Sequence, residues 1–433
     1  MIRRLRASAF AILACVLVGA TACAPQPPPA RPVATAPPVR VDPSALPSPA
    51  RPALGPDGKL RAALLLPLSG PQAQVGEAML NAATLALFQH GGGKVELLPK
   101  DTGGDPARAA AAAREALAEG AGAILGPLFA SETAAVASVA SPSGVPVLAF
   151  TTDATQARPG VWVLGQLPEP AVRRVVAAAR AAGAERFALL APDTPFGRLV
   201  AEAYARAVAD SGGVLVRREL YAGDNPAPAV RRLSDYDTRR GPIDAQVRAA
   251  RAEGTAEGRR RAAQMQREAR IPPPPFDALL LADSGDRLRA VAALLPFYDI
   301  DSPPVRILGT PLLAGMADAG TEPALVGAWF AAPDETRREA FAARYREAYG
   351  NDPPLVAGVA FDAAAIVGAL ANASPPDLSS GALTQPAGFA GVLGLVRLMP
   401  DGTNRRALAL MEVTRDGFRV LEPAPERFDD VIF

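Results

Sequence analysis

The chain has 433 residues, with 45 Lys+Arg against 44 Asp+Glu, a formal net charge of +1, one histidine and two cysteines. So even a balance carries no signal for nucleic acid or another polyanion. With Cys15 and Cys23 the only cysteines, a domain that starts after them can have no internal disulfide and no Cys-based metal site.

Arg3, Arg4 and Arg6 form a positive head before the apolar stretch Ala7–Ala20. This is the pattern of a secretory signal, and it is short for a bilayer-spanning helix, which needs ~20 apolar residues. Small residues then lead into Cys23, as Ala20-Thr21-Ala22-Cys23, which resembles a bacterial lipobox. Residues 1–22 are therefore expected to be a lipoprotein signal peptide, with Cys23 lipidated. Ordinary cleavage near Ala22 is the alternative, and it would leave a lone thiol in an exported protein. Residues 23–58 read as a lipid-anchored linker. Twelve prolines fall in residues 24–58, including Pro27-Pro28-Pro29. Such a segment favours extended polyproline II, and 35 residues at ~3.1 Å each could reach ~100 Å from the membrane.

From Leu60 the pattern alternates between strands and helices. Leu60–Pro67 is a continuous apolar run, expected of a strand buried on both faces. A helix over 72–89, a strand over 95–99, and a helix capped by Asp105 with Pro106 at its first position follow. Strands at 123–125 and 145–150 flank a helix over 131–141. A second series begins near Trp162, with helices over 169–182 and 196–211 and strands over 187–191 and 214–221. The polar stretch 229–270 interrupts it. Strands over 276–282 and 305–308, a helix over 287–295, a capping box Thr336–Glu339 opening a helix to Tyr349, a helix over 355–370 and three short C-terminal strands complete the chain. Repeated βα units predict parallel sheets flanked by helices. The fold class expected is α/β with two lobes. Lobe 1 is placed at about 59–165 and 326–385, and lobe 2 at about 166–325 and 386–433, with a helical insertion at 229–275.

In open α/β sheets ligands bind at strand carboxyl ends, where helix N-termini also offer N–H groups to anions. Three loops have that placement. Pro67-Leu68-Ser69-Gly70 follows the first strand, Gly126–Ser131 the third, and Phe150-Thr151-Thr152-Asp153 the fourth. Each alone is equally well read as a turn or cap; together their order and spacing say more. Asp283 and Asp286 follow a later strand and read evenly as cleft residues or caps of the next helix. Thr310 follows the strand after that.

The series PLSGPQAQVGEAMLNAATLAL, DTGGDP, ILGPLFASET, GVPVLAFTTD, DTPFGRLVAEAYARAVADSGG and YREAYGNDPPLVAGVAFDAAA resembles the type I periplasmic-binding-protein family, the leucine/branched-chain amino-acid receptors, over nearly all of residues 60–433. Within it the chain is similar to the penicillin-binding-protein activator lipoproteins. The lipobox and tether, the insertion from Leu233-Ser234-Asp235-Tyr236-Asp237 to Pro272–Pro275, and Leu294–Asp299 followed by Gly388-Phe389-Ala390-Gly391 carry that likeness. The resemblance implies an outer-membrane lipoprotein facing the periplasm, with Ala24 after Cys23 fitting that destination. It also implies a non-enzymatic activator of a peptidoglycan synthase. The alternative is a receptor for an amino-acid importer, with an amino-acid-like ligand. The receptors hold the ligand's carboxylate and amine at the positions of Ser131 and Thr151/Thr152. They cover it with an aromatic residue where Val75 stands here, and have a tyrosine where Phe196 stands.

Catalysis finds little support. The sole histidine, His90, precedes Gly91-Gly92-Gly93 at a helix end, where it complements the dipole. A Ser-His-Asp set would rest on that one residue, no phosphate loop occurs, and no cofactor is expected. Asp429-Asp430 lie in the tail. Residues 231–270 hold eleven Arg and six Asp or Glu, a net of +5. They read as a solvated helical hairpin with pairs such as Glu257–Arg261, or as a docking arm for an acidic partner.

Overall fold

The structure, a computed structural model, describes residues 54–428 apart from 317 and 334. The expected signal, Cys23, most of the linker and Asp429-Asp430 lie outside the described residues. The described residues belong to one compact unit.

The first lobe opens with β1 (Leu60–Leu66), α1 (Ala73–His90), β2 (Val95–Asp101), α2 (Pro106–Ala118), β3 (Ala123–Leu125), α3 (Ala130–Ala140), β4 (Val147–Ala149) and β5 (Val161–Val163). The strands form a parallel sheet in the order β2-β1-β3-β4-β5. The apolar run of β1 divides by the two-residue period of a strand. Leu60, Ala62, Leu64 and Leu66 join the core shared with α1, while Ala63 and Leu65 join the one under α2 and α3. Asp105 caps α2 by accepting from Arg108 N at 2.8 Å, with Pro106 at the first turn.

The second lobe begins with α4 (Pro168–Ala181), β6 (Arg186–Pro192), α5 (Pro195–Asp210) and β7 (Val214–Tyr221). The insertion follows as α6 (Ala227–Leu233), α7 (Tyr236–Ala252) and α8 (Ala256–Glu268), then β8 (Ala278–Leu281), α9 (Gly285–Leu294), β9 (Arg306–Gly309) and β10 (Trp329–Ala332). The chain returns to the first lobe for α10 (Glu335–Tyr349), α11 (Ala357–Ala371), α12 (Ser380–Leu383) and a small antiparallel sheet, β11 (Phe389–Gly391), β12 (Gly394–Leu398) and β13 (Asn404–Arg406). It ends in the second lobe with β14 (Ala409–Thr414) and β15 (Gly417–Glu422), giving a sheet ordered β15-β14-β10-β9-β8-β6-β7.

Several expectations shift. Val161-Trp162-Val163 closes the first sheet rather than opening the second series. Residues 329–332, assigned to lobe 1, are a strand of the second sheet, paired with β14 and β9. Residues 386–406, assigned to lobe 2, pack on the first lobe: Phe389, Leu393, Val396 and Leu398 share its core with α1 and α11. Thr336 lies inside α10, which starts at Glu335, so it is not that helix's cap. Arg261 pairs with Glu253 rather than Glu257.

Three crossings join the lobes, at Leu164–Leu167, after Ala332, and at Ala407-Leu408. A polar cluster sits beside the first and third. Arg406 pairs with Asp362 of α11 at 3.1 Å, the two side chains being 3% and 0% exposed. Arg406 also donates to Leu164 O at 3.0 Å and Leu393 O at 3.3 Å. Asn404 donates to Val163 O at 2.7 Å and Gly165 O at 3.0 Å. Burial pushes the Asp362 carboxyl up against the pull of the Arg406 charge. The β12–β13 turn locks onto β5, with Val163 N donating to Gly402 O at 2.9 Å. Gly402 is required there: its φ is +87°, and a Cβ would lie 2.3 Å from Arg158 N.

The insertion is a self-packed hairpin. Val247, Ala250 and Ala262, flanked by Ile243 and Met265, form a core separate from that of the lobe. Its root is held by one buried guanidinium: Arg239 donates to Ser234 O at 2.6 Å, Pro272 O at 2.8 Å and Tyr298 O at 2.8 Å. Asp235 and Asp299, the residues after two of those carbonyls, both hold positive φ, 54° and 57°.

Candidate functional site

Strands β1–β5 are parallel, so their carboxyl ends share one edge of the first sheet; β6–β10 give the second sheet a matching edge. The crossings after β5 and β10 leave from those edges. The two edges therefore border the gap between lobes, where a ligand of such a fold binds.

On the first lobe, every one of the three expected loops closes on a carboxylate of this chain. Asp101, the last residue of β2, accepts from Leu68 N at 2.9 Å, Ser69 N at 3.1 Å and Gly103 N at 2.8 Å through one oxygen. Its other oxygen accepts from Arg108 at 2.6 Å, and Arg108 also reaches Ser69 Oγ at 3.3 Å. Burial raises the Asp101 carboxyl, but hydrogen bonds from Ser69, Gly103 and Leu68 with the Arg108 charge outweigh it and hold the group below the usual carboxylate range. Glu132 accepts from Phe129 N at 3.1 Å, satisfying the N-cap N–H at the head of α3. It is fully buried, and desolvation pushes its carboxyl up over the opposing bonds from Thr102 and Phe129. Asp153 accepts from Thr155 N at 2.9 Å and Thr155 Oγ1 at 2.7 Å. Burial raises it, and the bonds from Thr155 and Gln156 bring it below the ordinary value.

The expected ligand residues separate accordingly. Gly70 turns the first loop at φ +80° and is exposed. Ser131 is exposed in the first turn of α3, and Thr152 is exposed in the loop after β4. Thr151 is 5% exposed, and its hydroxyl accepts from Asp153 N at 3.1 Å. Val75 is half-buried and packs against the first-lobe core.

On the second lobe, Tyr221 at the end of β7 donates to Asp283 at the end of β8, and Arg287 stands 3.4 Å from the same carboxylate and 5.7 Å from the Tyr221 ring centre. Burial and the bond to Asp283 push the Tyr221 hydroxyl up to about 12. Asp286 instead points to solvent beside Arg289. Thr310, after β9, is 1% exposed with no hydrogen-bond partner for its hydroxyl. Phe196 sits in the first turn of α5, partly exposed, above the Thr194 cap and an Asp193–Arg198 ion pair. Asp283 and Thr310 are thus brought to one strand-end edge, with Tyr221 and Arg287 added. Sequence reasoning missed Asp101, Glu132 and Tyr221. The signal available was position, since Asp101 and Tyr221 each end a strand and Glu132 is at the third helical position.

Two hollows among the described residues lie elsewhere. One, about 330 Å³, is at the root of the insertion between Arg239, Pro272–Pro274 and Asp299. The other, about 530 Å³, lies between α10 and Asp352-Pro353. Among the described residues no group of three or more His, Cys, Asp or Glu could hold a metal ion, and no helix is long and apolar enough to cross a membrane. His90 ends α1, edge-on to Phe361 at 5.9 Å, which is a packing role.

The fold and its double strand-end edge define a two-lobed binding protein. The model of the periplasmic binding protein family matches residues 59–418, and the chain belongs to that family. No curated protein matches. A protein of Rhodospirillum rubrum described as a branched-chain amino acid ABC transporter is similar in structure, with TM-score 0.66 and 22% identity over 84% of this chain and 100% of that one. A branched-chain amino acid ABC transporter ligand-binding protein of Burkholderia xenovorans gives 0.59 and 17%, over 86% and 97%. A solute-binding protein of Rhodopseudomonas palustris, solved with benzoate, gives 0.53 and 18%, over 85% and 98%. Identities this low speak for the fold.

Proposed function

We propose that this chain is a non-enzymatic envelope lipoprotein, tethered through Cys23 to the outer membrane, that activates a peptidoglycan synthase by protein contact and does not serve amino-acid import. The observation that carries the reading is the state of the first-lobe wall. An amino-acid receptor needs free N–H and hydroxyl donors for the ligand's carboxylate. Here Leu68 N, Ser69 N and Gly103 N end on Asp101, Phe129 N on Glu132, and Thr155 on Asp153, so carboxylates of this chain stand along the wall while Ser131 and Thr152 stay exposed. A ligand carboxylate would have to displace them and stand beside like charge, which costs binding energy. The Pro-rich tether suits a protein that reaches a partner across the periplasm. Contact of this kind needs no chemistry in the chain.

A second reading keeps the cleft in use. Tyr221, Asp283 and Arg287, beside the unpartnered Thr310 hydroxyl, could receive a small polar ligand on the second lobe. Titration calorimetry of residues 48–433 with the twenty amino acids separates the two. The activator reading expects no heat above background at millimolar ligand, together with stimulation of a purified synthase. Micromolar binding of one amino acid, abolished by Tyr221→Phe or Asp283→Asn, would replace it with the receptor reading.

A further inference from the structure

The α7–α8 hairpin concentrates positive charge. Residues 231–270 carry a net charge of +5 within a chain of net +1, so the rest of the chain sums to −4 (1 − 5). Ion pairs at the hairpin root absorb part of the positive charge: Arg231 with Asp237, Arg232 with Glu219, and Arg240 with Asp299. Farther out the balance changes. Arg248, Arg251, Arg259, Arg260, Arg267 and Arg270 are all exposed, and none of the ion pairs among the described residues includes them. Arg251 bonds the Gln266 amide oxygen at 2.9 Å and Arg259 the Gly254 carbonyl at 3.0 Å, which leaves their charge uncompensated. Arg248 and Arg251 lie three apart on α7, and Arg260 and Arg267 seven apart on α8, spacings that repeat on one helix face.

The support beneath this charge is rigid. The hairpin has its own small core, and the Arg239 clasp fixes its root. Beside the root Phe297 is 67% exposed and packs edge-on against Tyr298 at 5.0 Å, which in turn meets Tyr236 at 5.2 Å. An exposed aromatic on a fixed base beside arginines is the composition of an interface centre.

We infer that the α7–α8 hairpin, with Phe297 at its root, docks an acidic protein surface that presents carboxylates to the outer arginines and an apolar socket to Phe297. This rests on the reading of the chain as a contact-acting protein and adds where contact is made. Arginine, with its forked donors, matches carboxylates two bonds at a time. A membrane surface fits less well. Interfacial helices turn Trp, Phe and Leu outward, whereas the larger apolar side chains of α7 and α8 turn toward each other.

The test uses the full chain and a fourfold variant, Arg248→Gln, Arg251→Gln, Arg260→Gln and Arg267→Gln, with Phe297→Ala as a second variant. The probes are poly-L-glutamate, vesicles containing phosphatidylglycerol, and the purified periplasmic part of a peptidoglycan synthase from the same cell. Exposed substitutions of this kind leave stability nearly unchanged, so equal melting temperatures establish that the variants are folded. The expected result is binding of poly-L-glutamate and of the synthase that weakens with salt and drops about tenfold or more in the fourfold variant, as four lost pairs of a few tenths of a kcal/mol imply. Phe297→Ala is expected to weaken the synthase alone. Loss of poly-L-glutamate binding in the variant without any synthase binding keeps the docking surface and removes the synthase reading. Synthase binding equal in wild type and both variants does the reverse. Binding to the vesicles alone overturns the inference in favour of a lipid headgroup.

Discussion

At the scale of single residues, the first-lobe wall is governed by carboxylates doing work that a ligand could do. Asp101 alone satisfies three backbone N–H groups. Removing it leaves those donors unmet, at about 1–3 kcal/mol. Asp101→Gly is therefore expected to melt lower than wild type and to recover part of the loss in 100 mM acetate or formate, with wild type indifferent to either. Differential scanning fluorimetry with and without the anion measures this, and equal responses in both proteins would count against the stand-in role. Glu132 titrates the other way. Its carboxyl lies above the unfolded value because it is buried, so the charged form is penalised in the fold. Its protonation accompanies folding as pH falls through the raised value, and wild type loses that contribution as pH rises through it. Glu132→Gln keeps an acceptor for Phe129 N without the charge. It should match or exceed wild-type stability at pH 8, and the gap should close toward pH 4, as read by urea midpoints across the range. How far these residues were legible follows from what marks them. Asp105 announced itself by Pro106 and the helix behind it. Asp101 and Tyr221 did not, because in the sequence they are only polar ends of strands and their partners lie on other loops. The aromatic missing at Val75 was legible as a lack; that Val75 packs against the core was not.

At the scale of elements, strands and helices with a strong period were readable within a residue or two. β1 declared itself by the apolar run Ala62–Leu66 and β3 by Ala123–Leu125. The elements that escaped were short and tertiary in origin. β10 is a strand because β14 and β9 flank it, and residues 389–391 and 404–406 because each borders β12. The polar stretch 229–270 was legible as a helical hairpin, and its few apolar residues pair with one another in a small core of their own. Its attachment depends on Arg239, whose three carbonyl partners come from before α7, after α8 and after α9. Arg239→Met leaves three buried acceptors without their donor, and hydrogen bonds to a charged group contribute about 1.5–3 kcal/mol each before compensation by water. Limited proteolysis should then cut between residues 235 and 272 many times faster, while the lobes resist as before. A cleavage pattern unchanged from wild type would show the hairpin to be held by other contacts.

At the scale of the whole molecule, two sheets face a common gap, and the buried Asp362–Arg406 pair ties α11 of the first lobe to the backbone of a crossing. Breaking one half of a buried pair costs about 3–5 kcal/mol, because the other charge stays buried without its partner. Asp362→Asn is expected to lower the melting temperature by several degrees and to split the calorimetric peak as the lobes lose their shared backbone support. Replacing both by Leu should recover much of the stability yet keep the split. A single sharp peak in the Asn variant would mean that the pair stabilises the first lobe without coupling it to the second.

The path of the chain also sets a schedule. Each lobe is left unfinished and revisited: the first sheet's neighbours β11–β13 come only after residue 388, and the second sheet waits for β14, which pairs with β10 across about 80 residues. Neither lobe can seal its core while its last third is still unmade, so a growing chain stays open for most of its emergence. A polypeptide threaded outward through a narrow channel has to remain unfolded until late, and sheets completed only by C-terminal strands suit such a route.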